Sequence, residues 1–170
     1  MLQAVLKIAI ASLCKHKLFY ESISGLLLIV IIINHYVSLA WAQSSSNIAI
    51  NKNNISQPLT IRGTSGSAIA ALEITKTKNT ATGYCDGFAS QQPNHILRID
   101  TFFDYLRLEV ESSADTTILV KGAGGVWCND DAGSANPTIE GQWQPGIYQV
   151  WVGSYRANSN DNYQIKITAK

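Results

Sequence analysis

The stretch YLRLEVES, Tyr105 to Ser112, alternates without a break: Leu106, Leu108 and Val110 point one way, and Arg107, Glu109 and Glu111 the other. Successive side chains leave opposite faces of a β-strand, so this is a strand with one buried and one wet face. The pattern repeats on both sides of it. LTIRG puts Leu59 and Ile61 on one face, ALEITK does the same with Leu72 and Ile74, and YQIKIT sets Tyr163, Ile165 and Ile167 against Gln164, Lys166 and Thr168. HILRID, TTILVKG and GIYQVWVGSY read as further strands, and the last two are more continuously apolar, as strands in the middle of a sheet are. Gly, Pro, Asn, Asp and Ser separate these runs, and no amphipathic helix interrupts them. About eight short strands without an internal repeat predict an all-β fold, an antiparallel β-sandwich with Greek-key or jelly-roll connections.

The N-terminal region has another character. Lys15 and Lys17 precede the uncharged apolar run Gly25 to Ile33, and Ala40 and Ala42 stand at the small-residue positions of a cleavage site. That is the plan of a secretory signal peptide over residues 1–42, and the apolar run is too short for a membrane span of about 20 residues. No stable membrane insertion is expected after cleavage, and the destination is periplasmic or secreted. Residues 43–57 are rich in Ser and Asn and read as a polar linker, which leaves 58–170 for the sandwich.

Three of the 13 basic and one of the 12 acidic residues lie in 1–42, leaving ten against eleven. This balance, without a basic cluster, argues against nucleic acid as a partner. No phosphate-binding loop is present, which argues against a nucleotide; GAGG, Gly122 to Gly125, reads as a hairpin turn. Past residue 42 the cysteines are Cys85 and Cys128, an even pair in an exported chain, and they read as a disulfide.

Catalytic chemistry has little to work with. His95 is the one histidine after residue 42, which excludes a multi-histidine zinc site and leaves a serine triad a single candidate base. Glu109, Glu111 and Glu140 offer paired carboxylates for glycoside cleavage, but two of them alternate with core positions on one strand, as a solvated strand face does. The loop VWCNDDAGSANP, Val126 to Pro137, is richer. Asn129, Asp130 and Asp131, with Asp115 from another turn, have the oxygen chemistry of a calcium site. The same residue types also stabilise turns through their own backbone. Trp127, Trp143, Trp151 and Tyr155 offer aromatic faces of the kind that stack on sugars, with Trp127, Trp151 and Tyr155 as the candidate binding set; packing is the competing role. Trp151 falls on the strand face opposite Tyr148, Val150 and Val152, hence exposed or under a loop.

Taken together, YCDGF at Tyr84–Phe88, DTTILVKG from Asp115, WCNDD at Trp127–Asp131, the Asn136–Pro137 pair and GIYQVWVG at Gly146–Gly153 resemble the bacterial pre-peptidase C-terminal domain family. The resemblance covers roughly residues 84–168. It implies a jelly-roll-like, exported, non-catalytic module of the kind that accompanies secreted peptidases, with calcium, proteins or polysaccharides as ligands of some relatives. Here the sandwich follows the signal almost directly, so the expected function is a binding or accessory module that recognises an envelope or extracellular protein or polysaccharide, acting alone or assisting a separately encoded protein. A small glycan hydrolase and a structural envelope protein are the alternatives.

Overall fold

A computed structural model describes residues 46–170 apart from Ala132 and Ser134; the signal-peptide reading lies outside the described residues. The alternating segments form the strands expected of them. Four make one sheet, in the order β11 (Thr138–Trp143), β8 (Phe103–Ser112), β13 (Asn162–Ala169) and β2 (Leu59–Thr64), all antiparallel. Opposite lies a seven-stranded sheet. Its run is β1 (Ser46–Ile50), β7 (His95–Ile99), β12 (Gly146–Ser154), β9 (Thr116–Gly122) and β10 (Gly125–Asn129). The end of β12 also pairs with β6 (Phe88–Ala89), which pairs with β3 (Ile69–Ala70). A two-residue hairpin, β4 (Asn79–Thr80) with β5 (Gly83–Tyr84), stands apart.

Between the two sheets lies the main core. Leu106, Leu108 and Val110 of β8 and Ile165 and Ile167 of β13 meet Leu97, Ile99, Ile118, Val120, Val150 and Val152 from the other sheet. The alternation in the sequence is thus the inward and outward alternation of a sandwich. The continuously apolar β9 and the second half of β12, from Val150 onward, are buried on both faces. On the outer face of their sheet, Leu119, Trp151 and Cys128 pack beneath the excursion that carries Ala71, Cys85 and Ala89. Cys85 and Cys128 form the expected disulfide. Gly87, at φ 80°, lets this excursion lie flat: a Cβ there would meet the Ser154 carbonyl oxygen at 2.7 Å.

Two expectations need correction. The described part of the 43–57 stretch is no linker: Ser46–Ile50 is β1, and Ile50 and Ile55 are buried in the core. Ile48 and Ile50 carry the alternation, but β1 pairs in parallel with β7, far along the chain, and no local pattern announces such a partner. The second correction is ALEITK, which is not a strand; Ala71–Thr75 is a short helix, α1. Ala71 and Thr75, four positions apart, share its buried face, and Leu72 stands exposed. Lys76 adopts the left-handed conformation and ends the turn, donating its N–H to the Leu72 carbonyl.

Candidate functional site

Strands β10 and β11 are edge strands of opposite sheets, and a cleft of about 260 Å³ opens where they approach each other. Along β10, Val126 and Cys128 pack toward the disulfide cluster while Trp127 turns toward the core. Its ring lies 6.2 Å from that of Trp143, nearly parallel at 27°, and Trp143 in turn packs at 4.9 Å on Tyr148. Trp143 and Tyr148 are buried and their polar atoms are occupied: the Trp143 indole N–H donates to the Leu106 carbonyl, and the Tyr148 hydroxyl donates to that of Gln144. Trp127 is only half-buried and keeps a wall of the cleft. Gly124, at φ 92° in the β9–β10 turn, presents no side chain beside it.

The polar side of the cleft comes from Thr82, Glu140, Gln142 and Gln144. Alternation along β11 sends Ile139 and Trp143 inward and leaves Glu140 and Gln142 exposed. Glu140 is held in place from outside the cleft: it accepts from the Tyr105 hydroxyl at 2.9 Å and pairs with Arg107 at 3.4 Å. Thr82 is held by the excursion, its hydroxyl donating to the Cys128 carbonyl at 2.8 Å beside the disulfide. Aromatic walls with carboxamide and carboxylate groups at the rim suit a ligand that has apolar faces and hydroxyl edges.

The chain from Asn129 to Pro137 has a different chemistry. Asn129 is spent on structure: its amide N–H donates to the Thr82 carbonyl, and its amide oxygen accepts from the Thr138 N–H. Asn136 likewise bridges both backbone groups of Ser112. One carboxylate oxygen of Asp130, Oδ1, is buried without a hydrogen-bond partner among the described residues. Burial first, then the charges of Asp131, Asp86 and Asp115, push the Asp130 carboxyl up to about 6. Asp115 is raised as well, by desolvation and by Asp131, with Arg156 opposing. These carboxylates therefore feel one another. Even so, no group of three acidic, histidine or cysteine side chains suited to holding a metal ion is found among the described residues.

The aromatic candidates divide. Trp151 is 4% exposed, covered by the excursion, and is withdrawn from the binding set: from Val150 onward both faces of β12 are buried. Tyr155 is exposed but stands in another hollow, with Asp115, Arg156 and Asp161. Of that set only Trp127 lies in the cleft. Its partners Tyr148, Gln142 and Gln144 were legible only as alternating strand positions and as the polar residues that follow Glu140.

No family model matches the chain. Its fold resembles that of a pre-peptidase C-terminal domain. The collagenase domain of that kind from Bacillus anthracis superposes with a TM-score of 0.45 at 11% identity, over 75% of this chain and 98% of that one. PliG from Aeromonas hydrophila, a periplasmic inhibitor of g-type lysozyme, gives 0.41 at 9% identity, over 75% and 98%. In sequence, an uncharacterised protein of Synechococcus elongatus is 27% identical over 88 residues, 49% of this chain and 65% of that protein. The match therefore spans just under two thirds of that relative.

The remaining candidates for catalysis are engaged elsewhere. His95 is buried between Ser46 and the Tyr163 hydroxyl. Glu109 and Glu140 both pair with Arg107, and Glu111 accepts from Gln164.

Proposed function

We propose that this chain is an exported, non-catalytic recognition module and that the cleft at Trp127 takes a segment of polysaccharide. The observation that carries this is the half-buried Trp127 ring, backed by the buried Trp143 and Tyr148 and faced by exposed Gln142 and Gln144. A rigidly backed indole stacks on the apolar face of a sugar, and carboxamides both donate to and accept from its hydroxyls. The Cys85–Cys128 bridge fits an oxidising compartment, periplasmic or extracellular.

The hydrolytic alternative has less support. Glycosidases need one carboxyl to protonate and another to attack or activate water, whereas here Arg107 holds both Glu109 and Glu140 as ion pairs.

Affinity electrophoresis of the oxidised protein through gels containing soluble glycans tests the reading. Retardation is expected, and it should disappear in Trp127→Ala. The Gln142→Ala/Gln144→Ala variant, altered only at exposed positions, should weaken retardation without a change in thermal midpoint. Retardation that both variants retain, or none on any glycan, overturns the assignment of the cleft.

A further inference from the structure

Glu140 is the one charged side chain among the residues that line the cleft, and its charge is negative. Its orientation is fixed: the Tyr105 hydroxyl donates to Oε2 at 2.9 Å, and Arg107 Nη1 lies 3.4 Å from the same oxygen. Arg107 does not bring a spare positive charge to the ligand. Its Nη2 is already 2.9 Å from Glu109, so one guanidinium serves two carboxylates. Lys170 lies over the Tyr105 ring, 4.8 Å from its centroid, and lines no part of the cleft. The rest of the rim is neutral: Thr82, Gln142 and Gln144.

We infer that the cleft selects glycans by charge, accepting uncharged or amino-bearing sugars and excluding uronate, sulfate and phosphate esters, with Glu140 as the residue that sets this preference. The inference rests on the reading of the cleft as a glycan site and adds the chemical class of the sugar. A carboxylate in a fixed position accepts hydroxyl or ammonium donors from a sugar edge. It repels a second anion by about 1 kcal/mol at contact in water, which is about fivefold in affinity, and salt screens that repulsion.

The test compares a soluble neutral β-glucan, chitosan oligomers and polygalacturonate by titration calorimetry, at low and at high salt. The wild-type protein should bind the neutral glucan with little salt dependence, bind chitosan oligomers best at low salt, and bind polygalacturonate least at low salt. Glu140→Gln keeps the shape of the side chain and removes the charge; it should raise the ratio of polygalacturonate to neutral-glucan affinity about fivefold at low salt. Wild-type binding of polygalacturonate equal to or tighter than the neutral glucan, or an unchanged ratio in Glu140→Gln, overturns the charge preference while leaving the glycan site standing, provided Trp127→Ala still abolishes binding. Binding of no glycan at all overturns both.

Discussion

His95 Nε2 lies 2.7 Å from the hydroxyl of Tyr163, and this bond joins the two sheets through the core. On its other side the imidazole Nδ1 meets the Ser46 hydroxyl on β1. A neutral imidazole has one N–H and one lone pair, which is what two hydroxyl partners require. The ring is 3% exposed, and burial lowers its pKa to about 4. Tyr163 is buried too, which pushes its phenol above its ordinary range. The histidine that a sequence reading leaves as the single candidate base for a triad is therefore a neutral brace.

This brace makes stability depend on pH in a fixed direction. The folded pKa of about 4 lies below the unfolded value of 6.5, so between them the unfolded chain takes a proton that the folded one refuses. The contribution is present above pH 6.5 and is lost as pH falls toward 4. Its full size is on the order of 3 kcal/mol. Thermal midpoints measured across this window should fall on acidification, and His95→Gln, whose amide also donates and accepts, should flatten the fall. Equal slopes in both proteins would remove His95 from the account.

Cys85 and Cys128 lie 43 positions apart and are both buried. Closing a loop of that length stabilises a fold by about 4 kcal/mol in the chain-entropy account. Cys85→Ser/Cys128→Ser should lower the midpoint by more than about 10 °C for a domain of this size. It should also cost glycan binding, because Thr82 reaches the cleft through the Cys128 carbonyl. A variant that binds normally would show that the excursion holds its place without the bridge.

Asp130 works in the opposite sense to His95. Its folded pKa, about 6, lies above the ordinary carboxyl value of 3.8. Stability from this group is present below pH 4 and is lost as pH rises through 6, so at neutral pH the ionised carboxylate destabilises the fold. Asp130→Asn should raise the midpoint at pH 7 by a few degrees and confer no advantage at pH 4. The same pair, heated in millimolar calcium and in chelator, separates the two roles of the loop. A calcium shift in the wild type that vanishes in the variant places a cation on Asp130. Equal midpoints in calcium and chelator leave Asp130 as a carboxyl of the β10–β11 turn.

Much of this protein was determined by sequence alone. Period two in YLRLEVES and YQIKIT names inner and outer faces because a pleated strand has no other way to place its side chains. The disulfide was legible because the two cysteines past residue 42 leave one pairing. The GAGG turn was legible because Gly124 and Gly125 take positive φ, at 92° and 148°. Local pattern failed at α1, where Leu72 and Ile74 imitate a strand through one helical turn, and at β1, whose parallel partner begins at His95.

The candidate site lay beyond its reach. Trp127 and Trp151 stand on β10 and β12, strands of the same sheet with β9 between them, and look alike in sequence. Which of them meets solvent is decided by the excursion through α1, β5 and β6 folding back over Trp151, and by β10 and β11 ending their sheets on the same side of the sandwich. Both are contacts between segments distant in the chain. Burial is a property of what lies opposite a side chain, and only the tertiary structure supplies that.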